Sequence, residues 1–120
     1  MSWDKHKAVT YARQHAGANS QSKCAHYVSN AIRAGGADIR NTPEARDMGS
    51  NLIAVGFKRV YGEPQEGDVA VIQPIPGHPH GHACIYDGSG TWYSDFQQRS
   101  MYPGSRYREL QPTYAIYRRD

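Results

Sequence analysis

HACIYDGSGTWYSD, residues 82–95, is the stretch on which the fold turns. Two runs rich in Ile, Tyr, Trp and Thr flank the turn signal Asp87-Gly88-Ser89-Gly90, the pattern of a tight β-hairpin. With Gly88-Ser89 as a two-residue turn, for which glycine in the first position is favourable, Tyr86 faces Thr91, Ile85 faces Trp92, Cys84 faces Tyr93 and His82 faces Asp95. Opposed side chains of an antiparallel pair lie about 5 Å apart at Cβ. This register hands a carboxylate to a histidine, fixing its tautomer and supporting its protonated form. A three-residue turn would set Asp95 opposite Ala83 instead. A histidine held in this way calls for a nucleophile elsewhere in the chain.

Upstream of the hairpin the pattern is helical. Ser2 can cap a helix running to about His15, which Gly17 ends. A second helix begins near Lys23 and stops at Gly35-Gly36, with Cys24, Tyr27, Val28, Ala31 and Ile32 at the i, i+3, i+4, i+7, i+8 spacing of one apolar face. Thr42-Pro43 is a start signal for a third helix, turning Ala45, Met48, Leu52 and Ile53 inward. Phe57 to Tyr61 reads as a short strand, and Val69-Ala70-Val71-Ile72, opened by Asp68, as a buried one. Pro74, Pro76, Gly77, Pro79 and Gly81 make a rigid loop. Residues 96–112 read as loop, and Thr113 to Arg118 as the last strand. Helices first and strands last predict an α+β fold with N-terminal helices on a C-terminal antiparallel sheet.

Composition narrows the classes. The 120 residues suffice for a single domain, 1–120, with its own core. The net charge is +3, with basic residues scattered apart from a modest group at Arg106, Arg108, Arg118 and Arg119. That is a solvated basic face or an attraction to a polyanion; no stacking motif or Lys/Arg-rich run marks nucleic acid, and an anionic cell-wall polymer fits equally well. The N-terminal MSWDKHK carries no apolar run of a Sec-type signal and nothing approaches a membrane span. Synthesis in the cytoplasm is expected unless another route exports the chain. Two cysteines do not make a disulfide scaffold or a zinc motif.

Cys24 is the candidate nucleophile. At a helix N-terminus the dipole and unpaired N–H groups favour a thiolate, and the same amides can donate to an oxyanion. Against this stands the commoner role of a free cysteine as a small buried hydrophobe. The His82–carboxylate pairing shifts the balance to catalysis.

The segments SKCAHYVSNAI, GDVAVI, GHACIYDG and WYSDF resemble the NlpC-type branch of the papain-like cysteine peptidases, which includes the CHAP amidases. Within that group they are most similar to the small peptidoglycan amidase effectors of type VI secretion systems. The resemblance covers roughly residues 20–96. It implies a papain-like fold with Cys24 as nucleophile, His82 as general base and Asp95 orienting His82. One departure is Ser22-Lys23 before the cysteine, where the larger family commonly has Asp or Asn. This leaves Gln21 as either an oxyanion partner or a plain loop residue.

Other candidates have simpler roles. His78, His80 and His82 alternate as zinc ligands on a strand would, but Pro79 and Gly81 oppose strand pairing. His80 therefore reads as a lip of the substrate groove or as exposed loop, and His26 as surface. Asp87 and Asp68 suit turns. Cys84 reads as core packing, with a Cys24–Cys84 disulfide as the alternative.

The resemblance thus implies a cysteine amidase or endopeptidase cutting peptide-stem bonds of bacterial peptidoglycan, without metal or organic cofactor and without membrane insertion. An antibacterial effector acting in the periplasm of a target cell, with a cognate immunity protein, is the expectation. A phage lysis enzyme of the same chemistry, a catalytically silent wall-binding module and a cysteine acyltransferase are the alternatives.

Overall fold

The computed structural model describes residues 2–120. Helix α1 spans Lys5–His15 and is capped by Asp4, whose Oδ1 accepts the Lys7 N–H at 3.0 Å. Ser2 is therefore not the cap. The segment before Asp4 is drawn over the end of the second helix instead: the Asp4 N–H bonds Gly35 O, and the Trp3 ring meets Phe57 edge-on at 5.1 Å. Helix α2, Cys24–Ala34, packs against α1 and buries Ala25, Val28, Ser29, Ala31 and Ile32. Its buried face is rotated slightly from the expected one, leaving Cys24 and Tyr27 half-buried at the margin.

Pro43 does not begin a helix. A 3₁₀ turn at Ala45–Asp47 leads into α3, Met48–Ala54. Ala45, Met48 and Leu52 point inward as expected, but Ile53 is 57% exposed because the short helix buries a single stripe.

Six strands form one antiparallel sheet: β1 (Lys58–Val60), β2 (Val69–Ile72), β3 (His82–Tyr86), β4 (Trp92–Tyr93), β5 (Gln97–Gln98) and β6 (Tyr114–Arg118), in the order β1-β6-β2-β3-β4-β5. The α+β architecture follows the expected order of helices and strands. One face of the sheet, carrying Val69, Val71, Ala83, Ile85 and Tyr93, packs on the helices. The other, carrying Ala70, Cys84, Trp92 and Ile116, is covered by Met101 and the segment leading to Tyr107. Cover on both faces is why β2 reads as an unbroken apolar run. Each fully buried Ile, Leu or Phe of this core contributes about 1.5–3 kcal/mol of transfer free energy.

Two elements lie where a loop was expected. Strand β5 returns beside β4 through the tight turn Ser94-Asp95-Phe96, with Ser94 N–H bonding Phe96 O. Helix α4, Ser105–Leu110, buries Tyr107. A two-residue strand and a six-residue helix are too short for a periodic signal, and their neighbours hold them in place.

The hairpin departs from its expected register. Asp87 closes a loop with Gly88, Ser89 and Gly90 at its tip: its N–H bonds Thr91 O, and its Oδ1 accepts the N–H groups of Ser89 and Thr91. Tyr86 consequently pairs with Trp92 and Ile85 with Tyr93. The slip of one residue exchanges faces. Asp95, two residues on from Tyr93, belongs to the helix side, whereas His82 shares the opposite face with Cys84. The expected His82–Asp95 pair does not form.

Candidate active site

Cys24 opens α2 after an unusual approach: Ser22 has φ +59°, a left-handed conformation rare for serine, and Lys23 provides no side-chain cap. The backbone N–H groups of Ala83, Ala25 and Cys24 itself act on its thiol and favour the thiolate. Sheet geometry explains the first of these. The Tyr86 N–H bonds Asp68 O on the β2 side, so by alternation the Ala83 N–H points toward β4. The β3–β4 ladder ends at Ile85 and Tyr93. Beyond the end of that ladder the Ala83 N–H is directed to the side from which it acts on the thiol.

His82 lies at the start of β3, 7% exposed. Its Nε2 is 2.7 Å from Gln98 Oε1. The Gln98 amide cannot turn round, because its Nε2 donates to the carbonyls of Ser100 (3.0 Å) and Met101 (3.1 Å). An oxygen facing Nε2 requires Nε2 to carry the proton, so neutral His82 keeps its lone pair on Nδ1. Gln98 pairs with Trp92, which pairs with Tyr86, and all three share the face of His82. Gln98 thus takes the place foreseen for Asp95. The reading of the sequence missed it because residues 96–98 carry no strand signal; the turn formers Ser94-Asp95 between Trp92-Tyr93 and Gln97-Gln98 are the one available hint.

Asp95 is fully buried and accepts at Oδ2 from the backbone N–H groups of Gln21 (2.6 Å) and Lys23 (3.0 Å). It reaches His82 through its charge and not through a hydrogen bond. The Gln21 side chain turns outward, accepting from Tyr27 Oη at 3.3 Å. His80 is exposed on the groove rim and bonds Glu44 at 2.9 Å.

Cys24 and His82 share a cleft of about 390 Å³, walled by the 77–81 loop, Phe96 and the 103–107 segment. A second hollow of about 360 Å³ continues past Cys24 toward His26, Asn41 and Thr42. Among the described residues no Asp or Glu lines either part, while Arg106 lies in one and Lys23 in the other. Gly81 keeps the loop close, with φ +72° and a position where a Cβ would collide with Ile72 O. The Tyr107 ring lies 6.0 Å from His82 and 5.3 Å from His78. Burial and the nearby Cys24 push the Tyr107 hydroxyl up to about 12, so it stays protonated.

Burial raises the Cys24 thiol above its ordinary pKa, against the three amides that favour the thiolate, and the charge of Asp95 raises it further. Burial lowers His82, opposed by the Gln98 bond and by Asp95, while His78 adds to the lowering. Both directions favour a neutral thiol beside a neutral imidazole. Cys84 is fully buried, its thiol raised by burial and directed at Met101 O, and both cysteines are free. Among the described residues, no three His, Cys, Asp or Glu side chains gather where they could hold a metal ion.

A helix-borne thiol and a strand-borne imidazole lining one groove define a small α+β protein organised around a Cys–His cleft. The chain belongs to the Tae3 family of type VI effectors. Tae3, from the native type VI effector–immunity complex Tae3–Tai3 of Ralstonia pickettii, is 47% identical over 98% of this chain and 100% of its own, with a TM-score of 0.95. In the selenomethionine form of the complex the figures are 49%, 92% and 98%, with a TM-score of 0.89. Ly7917 shares the fold at 20% identity, over 97% of this chain and 62% of its own, with a TM-score of 0.61. No protein-family model and no curated protein matches the chain. Among the described residues, no helix is long and apolar enough to cross a membrane.

Proposed function

We propose that this chain is an antibacterial type VI effector whose residues 1–120 act as one papain-like domain, a cysteine amidase hydrolysing amide bonds in the peptide stems of peptidoglycan. The observation that carries the reading is the thiol of Cys24, at the first residue of α2, sharing a cleft with an imidazole of fixed tautomer. In this mechanism Nδ1 of His82 takes the thiol proton as sulfur attacks the scissile carbonyl. The free amides at the start of α2 stabilise the oxyanion. The imidazolium then protonates the departing amine, leaving an acyl-enzyme that water, activated by the same imidazole, hydrolyses. The neutral resting pair suits proton transfer during attack rather than a preformed ion pair.

The substrate assignment draws support from kinship with Tae3, from the resemblance of the Cys24 and His82 segments to peptidoglycan amidases, and from the absence of carboxylates in the groove. Stem peptides carry several carboxylates, and an acid-free groove with a cation in each part accommodates them without repulsion. Tae3 is found in complex with Tai3, and a cognate immunity protein is the corresponding partner here. The site of action is the wall of a target cell.

Incubation of the purified protein with Gram-negative sacculi, followed by mass spectrometry of the released fragments, tests the proposal. New amine and carboxyl ends are expected with the wild type. Cys24→Ala and His82→Ala should each release fragments at least about 10³-fold more slowly. Cutting by Cys24→Ala at the wild-type rate would remove the mechanism. A new amide adduct in place of a free carboxyl would make the protein an acyltransferase.

A further inference from the structure

We propose that Asp95 is a positioning residue for the nucleophile loop: its carboxylate clamps Gln21 and Lys23 from beneath and so sets where Cys24 enters α2. The inference rests on the reading of Cys24 as nucleophile and assigns Asp95 a role other than orienting the imidazole.

Three observations carry it. Asp95 is fully buried, and a single oxygen, Oδ2, accepts both loop amides, while Oδ1 is buried with no hydrogen-bond partner among the described residues. Second, the backbone around Asp95 grips the same loop from its other end. The Gly17 N–H bonds Asp95 O at 2.8 Å, the Gln97 N–H bonds Gly17 O at 3.2 Å, and Gly17 and Phe96 form a parallel bridge. The β4–β5 turn thus holds both ends of residues 17–23. Third, the loop passes through Ser22 at φ +59°, a conformation that persists only where surrounding contacts impose it. The two Asp95 bonds flank that residue. Helix α2 has no side-chain cap from Lys23; Asp95, from 72 residues away, instead satisfies the N–H of Lys23 itself, the first of the unpaired amides at that helix end.

The clamp and a charge role make opposite demands on the side chain. A clamp needs one oxygen able to accept two N–H groups, and asparagine retains it, its NH₂ replacing the oxygen that has no partner. A carboxylate acting on the imidazole through its charge is lost in asparagine.

The test compares Asp95→Asn and Asp95→Ala by hydrolysis of a stem peptide and by the rate of Cys24 alkylation with iodoacetamide across pH, the modified residue identified by mass spectrometry. Asp95→Ala should lose about 10²-fold in kcat with KM within about threefold, the cost of a displaced nucleophile. Asp95→Asn should rescue kcat to within about tenfold of wild type. Its alkylation and rate profiles should move to lower pH, because removing the Asp95 charge lowers both partners. The other groups facing Cys24 are Cys84 and Tyr107, and those facing His82 are Gln98 and His78; all are untouched by the substitution. An alanine variant that keeps wild-type kcat, or an asparagine variant as slow as alanine, overturns the clamp. Should Asp95→Ala fail to fold, the asparagine arm decides alone. Wild type that alkylates at Cys24 but hydrolyses no stem peptide would remove the proposed function, leaving the alkylation profiles to judge the clamp.

Discussion

Replacing Gln98 by leucine removes the acceptor on which the tautomer of His82 depends. The His82 Nε2–H, buried with its ring, then faces a methyl group, and the carbonyls of Ser100 and Met101 lose their amide donor. A buried donor left without an acceptor costs about 1–3 kcal/mol. If that cost falls on the reactive orientation of the ring, at about 1.4 kcal/mol per factor of ten, kcat/KM declines by about 5- to 150-fold. The loss should lie in kcat, because Gln98 does not line the groove. The pH dependence has a definite sign. The Gln98 bond holds the His82 pKa up against burial, so its loss lowers that pKa. Under the proposed mechanism the base must be neutral, so the enzyme then works to lower pH and the acid limb of the rate profile shifts downward. Gln98→Glu moves it the other way, since a carboxylate at this position favours the imidazolium. Steady-state kinetics on a stem peptide at several pH values, with ¹⁵N spectra of the imidazole, measure both effects. Wild-type kcat in the leucine variant, or an acid limb moving the same way in both variants, would refute the assignment of Gln98 as the partner of His82.

Three other outcomes follow from the structure. Asp68 is fully buried and paired in bidentate fashion with Arg118, Oδ1 to Nε at 2.8 Å and Oδ2 to Nη2 at 2.7 Å. Asp68→Ala strands the guanidinium and should cost about 2–4 kcal/mol, read as a fall in Tm of roughly 10 °C by calorimetry; an unchanged Tm would show that the pair contributes nothing. Gly81→Ala forces a Cβ onto Ile72 O at a positive φ, so it should destabilise the fold by more than about 1 kcal/mol and slow hydrolysis by displacing the start of β3; chemical denaturation and kinetics check both. Arg106→Gln removes a cation from the groove, so the preference of Cys24 for iodoacetate over iodoacetamide should fall about fivefold, the scale of one unit charge acting through a solvent-lined cleft. An equal ratio in wild type and variant would mean that Arg106 does not act on ligands there.

The two side chains that come to share the cleft and the α+β class of the fold were legible in the sequence by itself. Cys24 lies where a polar segment meets a clean 3.6-residue pattern ending at Gly35-Gly36, and α2 begins at that residue. The run Val69–Ile72 is buried throughout, as its composition requires. His82 opens β3 after a glycine that only a left-handed backbone explains. These are local signals: caps, periods and breakers act within a few residues, so a single chain displays them.

Which polar residue serves the histidine was not legible, because it depends on a count of turn residues that several glycine turns satisfy equally. A loop tipped by three residues in place of two sent Asp95 to the helix side and left the face of His82 to Gln98, on a strand too short to announce itself. Periodicity specifies which residues share a face only once the register is known, and register is decided by the packing of whole faces. In this chain Ala83, Ile85 and Tyr93 had to meet the helices together. Their burial placed Asp95 under the Cys24 loop and Gln98 beside the imidazole.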